Sequence, residues 1–204
     1  MILITNDDGY ENINVHILYD ILQKMDDVKM IVPDRNMSSC GNSVSFNRKF
    51  KIYTDANGKI SIDGTPVDCI RLGIKMFEPD LIITGINNGY NIGLDSLLCS
   101  GTFMGAREGA NNDIKSLACS VDKFSKIDKD MTLKIIKKTL FEDFTLANLN
   151  IISEDYRITN LCDTTYEYKI IDNSILIDFL KDYPKDTDGE AIYNLNKSSL
   201  TIMR

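Results

Sequence analysis

Residues 1–9 constrain the fold of this chain more than any other stretch. Residues 1–5, Met-Ile-Leu-Ile-Thr, form a short apolar run that is typical of a buried strand, and a helical pattern begins after residue 12. Between the two lie Asn6, Asp7, Asp8 and Gly9. Adjacent carboxylates at the end of the first strand of an α/β sheet fall in the crevice where such sheets bind ligands.

Asp7 and Asp8 favour a metal site without establishing one. Like charges this close repel each other unless a cation lies between them, and carboxylate oxygens are preferred ligands of hard divalent cations. The same four residues are also typical of an Asx-type turn, in which Asn and Asp side chains cap the following loop. At this point both interpretations stay open.

The segment after the first turn predicts a parallel sheet. Apolar residues recur at helical spacing through residues 13–26, and residues 28–32, Val-Lys-Met-Ile-Val, follow as a second strand. A strand, a helix and a strand within about thirty residues form a right-handed βαβ unit. The turn after the first strand contains neither of the glycine-rich fingerprints of dinucleotide-binding folds and P-loops.

The rest of the chain continues the α/β pattern with one β-hairpin excursion. Residues 44–53 alternate apolar and polar side chains, and an Asn-Gly turn follows at residues 57–58. Thr65, Pro66 and Asp68 predict a capped helix that runs to about residue 77. Further elements are strands at 80–84 and 114–121, a helix at 129–142 and strand-like runs after residue 148.

Polar loops follow several of the predicted strands. The loop at residues 36–43 contains hydroxyl groups, and residues 85–93 contain three glycines and three asparagines, which we expect to exclude a regular element. Ser100, Gly101 and Thr102 open a helix, whose free N–H groups and positive dipole end suit an anion. Together with the two aspartates, these loops predict a metal-assisted phosphate site at one edge of the sheet.

Residues 151–204 are expected to form a C-terminal β-rich segment. Runs such as residues 166–170 and 175–177 are strand-like but carry no side chains that suggest chemistry. Because short amphipathic strands gain stability by pairing, an antiparallel extension of the sheet and a contact with a second chain both fit. We predict one domain, residues 1–204, with an α/β core at residues 1–150 and an oligomerisation segment at residues 151–204.

Composition excludes several classes of protein. The net charge is −7 with scattered basic residues, so we expect no nucleic-acid polymer as partner. No segment has transmembrane length or the pattern of a signal peptide, so we expect a cytoplasmic protein with no membrane partner. The five cysteines include no CxxC pair and are interpreted as reduced, mostly buried thiols. His16 is the single histidine, on a helix face that we expect to be solvated, so histidine-based triads lack a base.

Five motifs in order resemble the SurE family of survival-protein nucleotidases. They lie at residues 6–9, 33–41, 64–69, 85–93 and 100–109, and they span about residues 1–120. The resemblance implies a Rossmann-like, mostly parallel sheet with helices on both faces. It implies a divalent-metal phosphatase of nucleoside 5′- and 3′-monophosphates, and in some members of short polyphosphate, that forms dimers or tetramers by exchanging C-terminal segments.

The resemblance also assigns roles to individual residues. It places the metal ligands at Asp7, Asp8, Ser38 and Asn87, and a phosphate-binding turn at Ser100, Gly101 and Thr102, with Asn91 close by. Oxygen ligands of this kind suit one Mg²⁺ or Mn²⁺ ion better than zinc or copper. Asp7 and Asp8 are also the candidate catalytic residues, because either carboxylate is able to orient or deprotonate an attacking water.

The chain departs from the family pattern at several positions. Where the family commonly has Pro-Gly this chain has Ile13-Asn14, where it has histidine this chain has Asn42, and where it has Gly-Pro-Asn this chain has Gly-Tyr-Asn at residues 89–91. The segment after about residue 157 is also shorter than in the family. Two alternatives therefore accompany the nucleotidase hypothesis: a non-catalytic nucleotide or metal sensor on the same scaffold, and a sugar- or polyol-phosphate hydrolase on a similar sheet.

Overall fold

A sheet of nine strands organises the fold. The computed structural model describes residues 1–162, 166–171, 174–179, 183–195 and 197–203. The elements are β1 (Ile2–Thr5), α1 (Ile13–Leu22), β2 (Val28–Pro33), β3 (Ile52–Thr54), β4 (Ile60–Ile62), α2 (Pro66–Phe77), β5 (Leu81–Asn88), α3 (Gly93–Cys99), α4 (Gly101–Ala110), β6 (Lys115–Val121), α5 (Lys129–Leu140), β7 (Leu146–Ile151), β8 (Tyr156–Thr159), β9 (Tyr166–Ile171), β10 (Ser174–Phe179), a short π-helix (Glu190–Asn194) and β11 (Ser198–Met203). The strand order is β3-β4-β2-β1-β5-β6-β7-β11-β8, and β9 and β10 form a separate hairpin.

The central strands are parallel and are covered by helices on both faces. Strands β4, β2, β1, β5, β6 and β7 run parallel to their neighbours, as predicted. Because side chains alternate along a strand, Ile2 and Ile4 join a core cluster with α1 and α5, whereas Leu3 joins a second cluster with α2. The prediction of an α/β fold with a mostly parallel sheet and helices on both faces is confirmed.

Local signals located the start of α2 correctly. Thr65 is the N-cap, and its side chain accepts a hydrogen bond from the backbone N–H of Asp68. The Asp68 carboxylate in turn accepts one from the backbone N–H of Thr65 at 3.0 Å, which completes the predicted capping box. Pro66 occupies the first turn, where a missing N–H costs nothing.

The sheet differs from the sequence-based expectation in two places. Strand β5 continues through Gly85 to Asn88, although this glycine- and asparagine-rich stretch was expected to exclude a regular element. It continues because β6 pairs with it on both sides of a register shift between Thr84 and Asn87. The expectation of a strand at residues 44–53 was also wrong for most of its length, since only Ile52–Thr54 is strand and it pairs with β4 across the predicted hairpin turn.

The C-terminal strands extend the sheet of the same chain. Strand β11 pairs antiparallel with β7 and parallel with β8, so it lies between two strands that precede it. Asp188 is fully buried, and its carboxylate accepts hydrogen bonds from the backbone N–H groups of Gly93 and Cys162. These contacts fasten the C-terminal segment to the start of α3. The predicted contact with a second chain stays a prediction. The segment that we now expect to make this contact is the β9–β10 hairpin.

His16 is more enclosed than its helix position indicated. Its Nε2 lies 2.7 Å from the carbonyl oxygen of Tyr10, to which only a ring N–H is able to donate, and Nδ1 lies 3.2 Å from Lys59 Nζ. Lys59 belongs to the hairpin connection, which folds over this face of α1 and covers it. His16 therefore ties the hairpin to α1. Its side chain is half-buried, so the expected solvated position is confirmed only in part.

Two further expectations concern the cysteines and the membrane. All five cysteines are free, and Cys69, Cys119 and Cys162 are buried, which agrees with the prediction of reduced thiols. None of the helices in the described ranges is long and apolar enough to span a bilayer.

Candidate active site

The carboxylate of Asp7 lies at the first turn of α4. Asp7 is 2% exposed, and its Oδ1 accepts a hydrogen bond of 2.6 Å from the hydroxyl of Thr102, which is fully buried. Gly101 makes this approach possible, because a Cβ at that position would lie 2.8 Å from Asp7 Cβ and 2.9 Å from Cys40 Sγ. The first turn of α4 is thus packed directly against Asp7, where its dipole favours a negative charge.

Asp7 and Asp8 form a close pair of carboxylates. Burial raises the pKa of Asp7, while hydrogen bonds from Thr102 and Gly101 oppose that shift. Burial and the neighbouring charge of Asp7 raise the pKa of Asp8 to about 6. None of the ion pairs within the described ranges includes either residue. The pair therefore carries mutual repulsion that a bound cation would relieve.

The end of β5 brings asparagine side chains to the same edge. The backbone N–H of Asn88 donates to Asp8 Oδ2 at 3.3 Å, and Asn88 Oδ1 accepts a hydrogen bond of 2.8 Å from Asn14 Nδ2. Asn87 Nδ2 donates to the carbonyl oxygen of Gly89 at 2.7 Å, which fixes the side-chain amide and leaves its oxygen as the acceptor atom. Asn87 thereby presents the kind of oxygen that the metal hypothesis requires.

The loop after β2 closes the site from the other side. The backbone N–H of Met37 donates to the carbonyl oxygen of Asp7 at 2.6 Å, and that of Gly41 donates to the carbonyl oxygen of Cys99 at 2.9 Å. Ser38 lies between these two anchors and is exposed. The anchors hold the backbone of this loop, and Ser38 lines the adjacent cleft.

A cleft of about 380 Å³ joins these elements. Its lining includes Asp7, Ser38, Asn87, Asn91 and Ser100 from the predicted site. Asp8, Gly101 and Thr102 do not line it. The structure thus brings five predicted residues around one cleft, places Asp8 beside it through Asn88, and places Gly101 and Thr102 behind Asp7.

Ser100 and Asn91 differ in what they leave available to a ligand. Ser100 is the N-cap of α4, and its Oγ accepts a hydrogen bond of 3.0 Å from the backbone N–H of Phe103, so its O–H is still able to donate. Asn91 is 5% exposed, and its Nδ2 already donates to Ser120 Oγ at 3.2 Å. Ser100 therefore suits phosphate contact, whereas Asn91 mainly holds the wall of the cleft.

Sequence reasoning missed the residues that support this wall. Asn148 and Asn150, both buried in β7, donate to the carbonyl oxygen of Asn91 at 2.8 and 2.9 Å. Asn150 Oδ1 also accepts from the backbone N–H of Asn91 at 2.9 Å. The available signal was the presence of two asparagines in an otherwise apolar strand, because buried amides require partners.

The donor set fits a hard divalent cation better than a soft metal. In the parts of the chain that the structure describes, no cluster of three or more His, Cys, Asp or Glu side chains is suited to metal binding. The residues around Asp7 offer two carboxylates, one hydroxyl and one amide oxygen instead, and such oxygen ligands favour Mg²⁺ or Mn²⁺.

The sequence of this chain is similar to those of known proteins. The sequence model of a family described as "Survival protein SurE" matches residues 2–169. A "5'-nucleotidase SurE" of Aquifex aeolicus (strain VF5) is 36% identical over 162 residues, which cover 73% of this chain and 64% of that protein. A "5'/3'-nucleotidase SurE" of Salmonella paratyphi A is 37% identical over 131 residues, which cover 62% of this chain and 51% of that protein.

A solved structure shares the fold over the whole chain. The crystal structure of SurE protein from Aquifex aeolicus superimposes with a TM-score of 0.86 and 29% sequence identity, and it covers 100% of this chain and 92% of the solved one. The sequence matches cover 64% and 63% of two of the curated relatives, so the chain spans less than two thirds of their length. The fold is thus shared along the chain, while sequence similarity covers only part of each relative.

Proposed function

Because the chain belongs to the SurE family, we propose that it is a phosphoric monoester hydrolase that releases phosphate from nucleoside 5′- and 3′-monophosphates with the help of one divalent cation. The observation that carries the proposal is the pair Asp7 and Asp8 at a strand end, where the charge of Asp7 and burial raise the pKa of Asp8. Short polyphosphate is a further proposed substrate, because it offers the same terminal phosphoryl group.

The metal would be held by Asp7, Asp8, Ser38 and Asn87. A bound Mg²⁺ or Mn²⁺ ion supplies Lewis-acid stabilisation of the phosphoryl oxygens and lowers the pKa of an attacking water. Asp7 serves as the fixed ligand, because Thr102 and the first turn of α4 hold its carboxylate. Asn87 and Ser38 are anchored by neighbouring hydrogen bonds and complete an oxygen-only donor set.

Asp8 is the residue that we assign to proton transfer. Burial and the charge of Asp7 raise the pKa of Asp8 to about 6 without metal. A bound cation would lower that pKa again, so Asp8 is ionised and able to accept a proton from water. As the P–O bond to the attacking water forms, one water proton passes to Asp8. The P–O bond to the nucleoside breaks with its electron pair going to the nucleoside oxygen, which takes a proton from solvent. The Asn88 N–H, 3.3 Å from Oδ2 of Asp8, orients the carboxylate during this step.

Ser100 is assigned to the phosphoryl group. Its hydroxyl lines the cleft at the N-terminus of α4, and a hydroxyl donor there stabilises the negative charge that develops on the equatorial oxygens. Gly101 acts through packing, since it lets the turn approach Asp7. Thr102 is a positioning residue for Asp7.

The C-terminal segment and the location of the protein complete the proposal. We propose a cytoplasmic homo-oligomer in which the β9–β10 hairpin contacts a second copy. The support is that this hairpin forms its own two-stranded sheet, whereas β8 and β11 are already paired within the main sheet.

Hydrolysis of a nucleotide panel tests the function directly. Phosphate release from nucleoside 5′- and 3′-monophosphates should require added Mn²⁺ or Mg²⁺, stop with excess EDTA and return when the metal is restored. Tight nucleotide binding without any release would favour the sensor alternative. Faster hydrolysis of sugar or polyol phosphates than of every nucleotide would favour a sugar- or polyol-phosphate hydrolase. Full activity after exhaustive chelation would contradict the metal requirement.

A further inference from the structure

Two cysteines lie at the mouth of the cleft around Asp7. Cys99 ends α3, is exposed and lines the cleft. Cys40 is half-buried in the loop after β2, two residues beyond Ser38. Both thiols are free, and the proposed hydrolysis uses neither of them. The pair therefore offers chemistry that the phosphate site does not require.

The backbone holds these two cysteines close together. The N–H of Gly41 donates to the carbonyl oxygen of Cys99 at 2.9 Å, and a Cβ at Gly41 would lie 3.9 Å from the Cα of Cys99. With standard bond lengths, this hydrogen bond limits the distance between the Cα atoms of Cys40 and Cys99 to about 7 Å. Disulfides join Cα atoms that are about 4.4 to 6.8 Å apart, so at most a small shift of the loop is needed to join the pair.

The side chain of Cys40 faces the turn that follows Cys99. A Cβ at Gly101 would lie 2.9 Å from Cys40 Sγ and 2.8 Å from Asp7 Cβ, so the thiol packs beside the carboxylate residue. Its S–H donates weakly to the carbonyl oxygen of Gly41 at 3.7 Å. A disulfide with Cys99 requires Sγ to leave this position and to turn toward the cleft.

We propose that Cys40 and Cys99 form a redox-modification site, in which a reversible disulfide weakens metal binding at Asp7. The oxidant is a low-molecular-weight disulfide such as oxidised glutathione. The other three cysteines, Cys69, Cys119 and Cys162, are buried and should not react. Formation of the disulfide is independent of the proposed function, whereas its effect on the metal rests on that function.

The reaction proceeds in two thiol–disulfide exchanges. The exposed Cys99 attacks one sulfur of oxidised glutathione as its thiolate, the S–S bond breaks, and one glutathione leaves as a thiolate. Cys40 then attacks the Cys99 sulfur of the mixed disulfide, and the second glutathione leaves. Two protein thiols are oxidised while one small disulfide is reduced. Burial and the charge of Asp7 raise the pKa of Cys40 to about 11, and its proximity to Cys99 offsets the small thiolate fraction.

The disulfide is expected to disturb the metal site in two ways. It draws the loop that carries Ser38 toward the end of α3, and it removes Sγ from the space beside Gly101 and Asp7. Loss of the groups that orient a metal ligand typically costs about 10- to 100-fold in metal affinity. We therefore expect oxidation to lower Mn²⁺ affinity about tenfold or more, and phosphate release with it.

Peptide mapping of the full chain tests the disulfide itself. Trypsin places Cys40 in the peptide 36–48 and Cys99 in the peptide 76–107, and neither peptide contains another cysteine. After treatment with oxidised glutathione, digestion without reductant should yield these two peptides joined, and dithiothreitol should separate them. Glutathione that stays on Cys99 of the wild type, with no joined peptides, would overturn the proposal.

Single substitutions separate the roles of the two thiols. In Cys40→Ala the adduct of glutathione with Cys99 should persist, because no second thiol displaces it. In Cys99→Ser the peptide 36–48 should stay unmodified, because the thiol that reacts first is missing. A Cys99→Ser protein that is oxidised at Cys40 as fast as the wild type would contradict this order of attack.

Metal titration and calorimetry test the consequence of the disulfide. Oxidised wild type should bind Mn²⁺ about tenfold more weakly or worse, and dithiothreitol should restore the affinity. Its metal-free thermal midpoint should rise by about 5 °C or more, because a cross-link between distant residues constrains the unfolded chain. Cys99→Ser, treated identically, should show neither change.

These measurements also separate the inference from the proposed function. Joined peptides with unchanged Mn²⁺ affinity, or a lower thermal midpoint after oxidation, would overturn the redox control. A reduced wild type that binds no Mn²⁺ and releases no phosphate would refute the proposed function, while the joined peptides would still establish the disulfide.

Discussion

The hydroxyl of Thr102 donates a 2.6 Å hydrogen bond to Oδ1 of Asp7, and both side chains are buried. This bond joins the end of β1 to the first turn of α4, although the two residues are 95 positions apart in the sequence. It sets the orientation of a carboxylate before any ligand binds. Pre-set ligands of this kind raise metal affinity, because less has to be ordered on binding.

Thr102→Val should therefore weaken metal binding. Loss of a hydrogen bond that orients a ligand typically costs about 10- to 100-fold in metal affinity. Thr102→Ser keeps the hydroxyl and should retain most of the affinity, which makes it the matched control. Titration of the apoprotein with Mn²⁺ measures both variants. Wild-type affinity in Thr102→Val would show that the bond does not position Asp7.

Asp7→Asn should stabilise the metal-free protein while it removes the response to metal. Burial raises the pKa of Asp7, so the ionised carboxylate lowers the free energy of unfolding at pH values above that raised pKa. Asparagine keeps an acceptor for Thr102 and carries no charge.

Scanning calorimetry at neutral pH should show a higher midpoint for metal-free Asp7→Asn than for the wild type. The difference should shrink at acid pH, because the wild-type carboxylate then binds a proton. Saturating Mn²⁺ should raise the midpoint of the wild type alone. A variant that melts earlier than the wild type without metal would contradict the burial argument.

Asn42→His should raise turnover. Asn42 is exposed in the loop beside the cleft and stands where the family commonly has histidine. A neutral amide is able to donate a hydrogen bond, whereas histidine is also able to donate a proton to a leaving group. We expect an increase in kcat of about tenfold or more, since general acid catalysis typically contributes about 10² to 10⁴. Metal affinity should stay nearly constant.

Asn57→His is the control for that experiment. Asn57 is exposed in the hairpin turn between β3 and β4, outside the lining of the cleft, so it adds a histidine without placing it near the phosphate. Its turnover should equal that of the wild type. An unchanged rate in Asn42→His, with metal binding intact, would show that this position does not limit catalysis.

Removal of the β9–β10 hairpin should convert the oligomer to monomers. Residues 160 and 186–188 already hydrogen-bond to each other, at 2.8 and 2.9 Å, so the ends of the hairpin are held together by the main body. A short Gly-Ser linker in place of residues 163–182 should therefore leave the nine-stranded sheet folded. Light scattering should give a dimer or larger species for the full chain, and a monodisperse 23.0 kDa species would rule out the predicted oligomer.

The fold was predictable wherever the signal was local. The run that forms β1 and the box of Thr65 and Asp68 depend on residues close in sequence, and the structure confirms both. The continuation of β5 to Asn88 was not predictable, because it depends on pairing with β6 and overrides the preference of glycine and asparagine for turns. The partial cover of His16 was hidden for the same reason, since Lys59 is distant in sequence.

The sequence predicted which kinds of side chain form the candidate site, but not all of the contacts between them. Asp7 was identified from its place at a strand end, and the resemblance to the SurE family assigned Ser38 and Asn87. The structure gathers all three around one cleft. The contact between Thr102 and Asp7 was not visible in the sequence, which suggested phosphate for that hydroxyl. The support of Asn91 by Asn148 and Asn150 was missed as well, because the two asparagines in β7 do not indicate which distant residue they bind.

The position of β11 between β7 and β8 has a consequence for synthesis on the ribosome. Strand β8 leaves the exit tunnel before β11 does, yet among the described strands only β11 pairs with it. During that interval the open edge of β7 is able to pair with other nascent chains, and contacts of such long sequence separation form slowly. Slow translation or premature termination just before Ser198 should therefore promote misassembly and recruit chaperones.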